Sequence, residues 1–369
     1  MDSSSSISVN DGIKRTFNHD LNIDKDGQAY VRQRWPMLAE ILIDVELIKA
    51  FQPHELTAKT LKRRVLYVGS VAVVLMTASL LGLAVQLWLG NSRPEAEVLR
   101  RCTEFSAIAG LLCAILVSRY GPWRRDWLKH RFITEVLRQW HFRRLLVGNL
   151  VDKACASDEE KLRFLLERKT ALATCLHNLR GSVGQKMDRL AVSGVDELGP
   201  VPIPNLPTSQ VVRAQLLEAY RVLRLEHQLE FAEWKLSIDD DTFLGISGAA
   251  LVRTTDQLAG ATLLIALALS IVRLFSPIRW MPFLEWAPFA AVALGIMGVG
   301  VRAWRDGMSL GEERETYQEM QHRLGLINFR WKIAETDEKR FQLSEEIENF
   351  EVAELRAFIR AHEKAQFLI

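Results

Sequence analysis

The chain has 369 residues, enough for two or three domains, with 49% hydrophobic residues, 25% charged residues and a formal net charge of +2. A net charge so close to zero excludes an attraction of the whole protein to nucleic acid, so any basic patch acts locally. The 4 cysteines show no CxxC or Cys/His ligand spacing, which predicts reduced thiols and no bound metal or other cofactor.

The N-terminus is polar and lacks an apolar core behind a basic region, so no signal peptide is expected. Its few apolar residues cannot form a packed core. We therefore predict a disordered segment over residues 1–25.

Four apolar runs follow as two pairs. The first, residues 65–92, contains no charged residue and is longer than the roughly 20 residues that span a hydrocarbon core. The others, residues 105–118, 257–272 and 286–301, are shorter, and arginine and tryptophan residues at their ends extend them into the membrane interface. A soluble bundle that buries all four runs is the alternative, and the first run argues against it most strongly.

The pairing predicts two transmembrane hairpins with basic residues clustered outside each pair, so both termini and the region between the hairpins are expected in the cytoplasm. We expect three units after the N-terminal segment: a first hairpin with flanking helices (26–150), a cytoplasmic helical region with a proline-rich loop at 201–209 (151–240), and a second hairpin with a helical extension (241–369). The basic residues predicted at the membrane interface are Arg63, Arg64, Arg119, Arg124, Arg125, Lys129, Arg302 and Arg305.

The basic, aromatic stretch WRRDWLKHRFITEVLRQWHFRR at residues 123–144 continues the second apolar run. Its apolar residues are spaced as on one face of a helix. The spacing predicts a coupling helix that packs against protein through Trp127, Ile133, Val136, Leu137 and Trp140, with basic residues of its first turns near lipid head groups. Nucleic-acid binding is the alternative, and the surrounding apolar runs disfavour it.

Helical patterns dominate the remaining sequence, at residues 157–190, 208–238, 309–333 and 336–367. Strand signals are almost absent. The fold class predicted is an all-α membrane protein with four transmembrane helices in two hairpins and long cytoplasmic helices.

Catalytic motifs are absent from the sequence, so we do not expect an enzyme. The three aspartates at 239–241 are consistent with a cation site, although a solvated helix start explains them better. Small and polar residues recur every four positions in the apolar runs, a pattern typical of helix packing that also occurs in pores. The residues predicted for packing or a pore are Gly82, Gln86, Ser106, Gly110, Ala114, Ala291 and Gly295, and these stripes also favour homo-oligomers.

The juxtamembrane segment carries the pattern W-x3-W-x-K-x-R-x3-E-x-L-R-x-W-x-F-R at Trp123, Trp127, Lys129, Arg131, Glu135, Leu137, Arg138, Trp140, Phe142 and Arg143. With its two hairpins and acidic, aromatic terminal helix, the chain resembles the SLATT families of bacterial conflict systems, the SMODS- and SLOG-associating two-transmembrane effector domains. The resemblance implies an inner-membrane effector that disrupts the bilayer when a nucleotide-sensing partner protein signals infection. The chain departs from the family in having two hairpins.

Two functions therefore follow from the sequence. The first is a membrane effector that oligomerises and permeabilises the bacterial inner membrane in antiviral defence. The second is a non-conducting membrane scaffold or signal-relay protein whose cytoplasmic helices bind soluble partners. The lipid bilayer is a partner in both, and nucleic acid is a partner in neither.

Overall fold

The computed structural model describes residues 19–90, 96–202, 204–237, 248–275 and 286–364. Within these ranges the regular secondary structure is helical, and Val147 and Asn205 form an isolated bridge rather than a strand. Of the described helices, four are long and apolar enough to cross a membrane. The protein is therefore an all-α membrane protein, as predicted.

Regular structure begins at residue 19, nearer the N-terminus than the sequence indicated. A 3₁₀ turn at His19–Leu21 precedes helix α1 (Lys25–Arg34), whose N-cap residue Asp24 accepts a hydrogen bond of 2.6 Å from the Gly27 amide. A short helix, α2 (Ala39–Leu42), follows. Asp20 and Leu21 are buried, so the prediction of disorder was wrong for residues 19–25, while residues 1–18 lie outside the described ranges.

The first hairpin consists of two helices much longer than a membrane span, α3 (Val45–Gly90) and α4 (Ala96–Leu145). At 1.5 Å per residue, the 46 residues of α3 extend about 69 Å, roughly twice the thickness of a hydrocarbon core. The two helices run antiparallel along their length: the Ser79 hydroxyl donates to the Ser106 carbonyl at 2.9 Å, and far outside the apolar run the His54 and His130 Nδ1 atoms lie 2.8 Å apart.

Three helices of the middle region follow, α5 (Gly148–Ala156), α6 (Asp158–Leu179) and α7 (Val183–Ser193). The predicted helix at 157–190 is therefore interrupted near residue 181. Gly148 has no room for a side chain, because a Cβ atom there would lie 2.2 Å from the Asn205 carbonyl oxygen. This close approach fixes the proline-rich loop against the start of α5.

The predicted helix at 208–238 is present as α8 (Gln210–Tyr220) and α9 (His227–Leu236), joined without a break by a π-helical turn at Arg221–Glu226. The second hairpin consists of α10 (Gly248–Phe275) and α11 (Ala287–Gly307). Two long helices, α12 (Leu310–Ile333) and α13 (Asp337–Lys364), complete the described chain and agree with the predicted terminal helices.

The two hairpins pack against each other through α3 and α11. The Trp304 indole N–H donates to the Ser70 hydroxyl at 2.8 Å, and a Cβ atom on Gly300 would lie 2.4 Å from the Thr77 hydroxyl. Trp88 stacks on Phe289 with ring centroids 5.3 Å apart. Since Trp88 lies near the end of α3 and Phe289 near the start of α11, α3 ends and α11 begins on the same side of the membrane layer.

The helices on the other side form one extramembrane bundle. Its continuous core includes residues from every part of the sequence, among them Trp35, Leu137, Tyr220, Leu324 and Ile347, all fully buried. The predicted units 26–150, 151–240 and 241–369 are consecutive along the chain. The structure instead consists of two layers, the membrane helices and the bundle, and each layer combines residues from more than one unit. All three units contribute to the bundle, and the first and third also supply the membrane helices.

The membrane layer exposes large apolar side chains that a water-soluble protein would bury. The most apolar 18-residue window of α10 has 0% of its residues buried within the chain, and its exposed residues include Leu258, Leu264 and Leu267. Ile108 and Leu111 are similarly exposed on α4. Apolar surface of this extent is stable only in contact with lipid or another apolar surface.

Candidate functional site at the junction of bundle and membrane helices

The coupling helix, residues 123–145 of α4, leaves the membrane layer and enters the centre of the bundle. Trp127, Ile133, Val136, Leu137 and Trp140 are all buried, at 0–8% exposure, as the sequence pattern predicted. Of the charged residues between them, Glu135 and Arg138 are buried as well, which the pattern did not predict. Residues 132–143 are buried without interruption, whereas Arg125 and Asp126 at the start of the segment are exposed.

Arg138 lies at the centre of the first buried ionic network. Its guanidinium contacts the Asp20 carboxylate and the Glu135 carboxylate, each at 2.7 Å, and Arg131 contacts Glu135 at 2.8 Å. Burial raises the pKa of Glu135, but the positive charges of Arg131 and Arg138 outweigh this effect and lower the pKa to about 2. Glu135 is thus ionised at neutral pH, and the Arg138–Asp20 ion pair attaches the N-terminal segment to α4.

A second network joins the middle and terminal helices. Glu348 accepts hydrogen bonds from the Tyr220 hydroxyl at 2.7 Å and from Arg224 Nε at 2.9 Å, and the Arg224 guanidinium lies 4.7 Å from the Phe142 ring centroid. Glu351 lies 3.7 Å from Arg224, yet burial raises the pKa of Glu351 to about 7. Near neutral pH, Glu351 is therefore partly protonated beside the buried Arg224–Glu348 pair.

Arg168 on α6 forms a third buried contact. Its guanidinium contacts Asp44 at 2.8 Å, donates to the Ile41 carbonyl, and donates to His141 Nδ1 at 2.8 Å. Burial and the charge of Arg168 hold the pKa of His141 well below its usual value, so His141 is neutral and Nδ1 can accept. The start of α3 is thereby attached to α4 and α6.

At the level where the bundle meets the membrane layer, α12 and α13 contact α3 and α4. Glu313 lies 3.2 Å from Lys62 and 3.2 Å from His362. The His362 ring packs edge-on against Trp127, with centroids 5.0 Å apart, and stacks near Phe358 at 4.1 Å. We call this set of five residues the junction cluster. Burial raises the pKa of Glu313, but Lys62 and His362 outweigh this effect and hold the pKa of Glu313 far below its usual value.

Three of the basic residues predicted at lipid head groups also contact protein. Arg124 donates to the Glu363 carbonyl at 3.1 Å, Arg125 pairs with Asp188 at 3.0 Å, and Lys129 pairs with Asp126 at 2.9 Å. Helices α7 and α13 therefore approach the start of the coupling helix, while the Arg125 side chain stays 58% exposed and the predicted lipid contact stays a prediction.

The other predicted interface residues fall into three groups. Arg63 and Arg64 are exposed on α3 near the layer boundary, in keeping with the prediction. Arg302 and Arg305 lie at the same boundary on α11, beside Asp256 and Asp306. The side chain of Arg119 lies outside the described ones.

The residues predicted for helix packing differ in how deeply they are buried between the helices. Ser106 is buried against α3, and a Cβ atom on Gly110 would lie 3.6 Å from the Ser79 hydroxyl, an ordinary contact. Gly82 and Ala291 are half-buried, Ala114 is exposed, and a Cβ atom on Gly295 would meet nothing within 4 Å. Among the described residues, Gly295 therefore has open space where a side chain would extend, and its predicted packing role stays a prediction for a contact between copies.

The closest helix contacts involve residues that the four-residue stripes did not include. A Cβ atom on Gly298 would lie 2.7 Å from the Thr262 hydroxyl, and Gly300 is equally close to Thr77. The signal was present as the sequence GVG at 298–300, in which the two glycines lie about 200° apart around the helix and so face opposite neighbours. Gln86 is half-buried, and its carbonyl oxygen is buried without a hydrogen-bond donor among the described residues.

Among the described residues, no group of three or more His, Cys, Asp or Glu side chains is arranged to hold a metal ion. Cys113, Cys155 and Cys175 are free thiols, and Cys113 donates to the Ala72 carbonyl at 3.3 Å. The aspartates at 239–241 lie outside the described ranges.

Together these features define a polytopic all-α membrane protein in which two packed hairpins continue into a single extramembrane bundle. No protein-family model matches the chain, and neither the curated proteins nor the solved structures searched contain a match.

Proposed function

We propose that this protein is an effector of antiviral defence whose copies associate and permeabilise the bacterial inner membrane, with the bundle and both termini in the cytoplasm. The observation that carries the proposal is the continuity of α3 and α4 from the bundle core through the membrane layer. Pro122 lies inside α4 between the membrane run and the coupling helix, a position where a helix can kink. We propose that a rearrangement around Arg138 or Trp140 changes the direction of the membrane part of α4 about this residue.

The junction cluster supports this coupling. Lys62 belongs to α3, Trp127 to α4, and Glu313 and His362 to α12 and α13. These contacts hold the end of the chain against both helices of the first hairpin. We propose that they stabilise the resting arrangement, and that a nucleotide-sensing protein partner releases them by binding the bundle.

The buried charges of the coupling helix also bear on the nucleic-acid alternative. Arg138 and Arg143 are buried and paired with Asp20 and Asp196, so these two guanidiniums are unavailable to phosphates. This arrangement supports a structural role for the basic stretch and favours a protein signal over a nucleic-acid signal.

A second candidate function is a non-conducting scaffold or relay. The observation that favours it is that polar side chains described in the membrane layer bond to neighbouring helices or to their own helix. Ser79 bonds to the Ser106 carbonyl, Trp304 bonds to Ser70, and Thr262 bonds at 2.9 Å to carbonyls of its own helix. A single copy of this arrangement offers little polar surface to water, so conduction requires association of copies or repacking of the spans.

Dye release from liposomes separates the two candidates. Purified full-length protein is reconstituted at increasing protein-to-lipid ratio, and the release of an encapsulated dye is followed alongside chemical cross-linking. The effector proposal expects release that rises more steeply than linearly with protein and accompanies cross-linked oligomers. Intact liposomes at every ratio, with folded and inserted protein, would favour the scaffold.

The Glu313→Gln substitution tests the coupling step. It removes the charge that attracts Lys62 and His362, and Glu312→Gln is the matched control because Glu312 is exposed on the same helix turn. We expect more dye release or propidium uptake from Glu313→Gln than from the control at equal expression. Equal uptake by the two variants would contradict a restraining role for the junction cluster.

A further inference from the structure

A groove lies between α10 and α11 at the edge of the membrane layer nearest the bundle. It encloses about 290 Å³ and is lined by Asp256, Ala259, Gly260, Leu263, Arg302 and Arg305. We call it the interfacial groove. Its volume lies near the lower limit of small-molecule sites in proteins, roughly 300 Å³.

The groove exists because α10 and α11 contact each other on its membrane side and on its bundle side, but not in the stretch between these two contacts. On the far side, Gly298 allows α11 to approach Thr262 so closely that a Cβ atom would lie 2.7 Å from the hydroxyl. Toward the bundle, Arg305 forms an ion pair with Asp256. Between these contacts Gly260 presents no side chain, and a Cβ atom there would meet nothing within 4 Å.

The mouth of the groove carries a cation that is weakly paired. Arg302 has 68% of its side chain exposed, and its ion pair with Asp306 is long at 3.9 Å. Asp306 already accepts hydrogen bonds from Arg305 at 3.0 Å and 2.9 Å. The planar guanidinium of Arg302 is therefore able to bind a phosphate group, for which arginine has matching donor geometry.

The groove also changes polarity with depth. Gly260 is four residues beyond Asp256 along α10, which places it about 6 Å farther into the membrane layer. Leu263 and Leu264, one turn beyond Gly260 on the same side of α10, are exposed, so this surface faces hydrocarbon. The mouth is charged where head groups lie, and the floor is apolar where acyl chains begin.

From this arrangement we propose that the interfacial groove binds one phospholipid molecule. Its phosphate is held by Arg302 and its acyl chain lies over Gly260, in the space left between α10 and α11. The site depends on insertion of the two hairpins in a bilayer and does not depend on whether the protein conducts.

Native mass spectrometry of the detergent-purified full chain, titrated with phosphatidylglycerol, tests the site. Gly260→Leu places a side chain in the groove, while Gly295→Leu adds the same side chain at another open position on the neighbouring helix. We expect Gly260→Leu to retain one phospholipid fewer than the wild type and Gly295→Leu to retain the same number. We expect Arg302→Gln to weaken this phospholipid about tenfold or more, because it removes a charge-assisted contact.

Glycerol 3-phosphate serves as the soluble source of the same phosphate group. Failure of glycerol 3-phosphate to displace the phospholipid supports the proposal, whereas displacement at equal concentration overturns it in favour of a simple anion site. Unchanged lipid retention in Gly260→Leu overturns it, as does equal loss in Gly295→Leu. A change in the number of protein copies in Gly260→Leu, without a change in lipid, would assign the groove to a second copy of the chain.

Discussion

The buried Arg224–Glu348 pair provides the most direct test of the bundle. Glu348→Ala removes the acceptor of hydrogen bonds from the Tyr220 hydroxyl at 2.7 Å and from Arg224 Nε at 2.9 Å, and both members of the ion pair have 0% exposed side chains. The substitution leaves a buried guanidinium with Glu351 as its remaining carboxylate neighbour, 3.7 Å away. The cost arises chiefly from the stranded charge rather than from the lost contact.

The magnitude follows from burial. Breaking a buried ion pair by removing one partner typically costs about 3–5 kcal/mol. Here Glu351 offsets part of the cost, since the negative charge of Glu348 helps to raise the pKa of Glu351 to about 7 and its removal favours ionisation beside Arg224. We therefore expect a loss near the lower limit, about 3 kcal/mol, which corresponds to a fall of about 6–12 °C in the melting temperature of a bundle of 150–250 residues.

Tryptophan fluorescence during heating of the detergent-solubilised full chain measures this change. The double variant Arg224→Met/Glu348→Leu is the control, because it replaces both charges by apolar groups and leaves the Tyr220 hydroxyl with the Ser344 carbonyl, 3.2 Å away. We expect the double variant to melt within a few degrees of the wild type. A double variant as unstable as Glu348→Ala would refute the reasoning, because the loss would then not come from an unpaired charge.

The remaining predictions concern pH, membrane packing, the coupling helix and topology. Since burial raises the pKa of Glu351 to about 7, the folded state binds its proton more tightly, and stability should fall as pH rises from about 4.5 to 7; Glu351→Gln should flatten this part of a melting-temperature profile. Gly300→Leu should separate α3 from α11 and lower the yield of folded protein in size-exclusion chromatography, whereas Gly295→Leu should not, because only the former position is in close contact. Trp140→Ala should cost about 3–5 kcal/mol, measured as a lower melting temperature, because the indole is 8% exposed in the core. Reporter fusions at positions 200 and 369 should give cytoplasmic signals, and a periplasmic signal at either would contradict the proposed orientation.

The membrane helices were predictable from the sequence because the requirement for them is local. An uncharged run such as residues 65–92 must avoid water wherever it lies in the fold, and charged ends fix its position at the interface. The apolar face of the coupling helix was equally predictable, since Leu137 and Trp140 recur with the helical period. For the same reason α12 and α13 were predicted close to their observed bounds, whereas the break between α6 and α7 was not predicted.

The surroundings of the charged residues were not predictable. Glu135 and Arg138 are spaced three residues apart, a pattern typical of a solvent-exposed helix face, and no local feature distinguishes an exposed pair from a buried one. Their burial depends on Asp20, more than one hundred residues earlier in the chain. The same holds for Arg224, whose partner Glu348 lies on α13.

The packing of the two hairpins was likewise decided by the tertiary structure. The sequence indicated two hairpins and small residues on several helix faces, but not that Gly300 would face Thr77 while Gly295 faced away from the other helices. Which glycine forms a contact depends on the rotation of each helix about its axis, and that rotation is set by the best packing of all neighbours at once. The sequence thus determined which segments leave water, because transfer from water depends on each segment's own composition. Only the tertiary structure decided which residues meet, because a contact depends on the positions of two distant segments together.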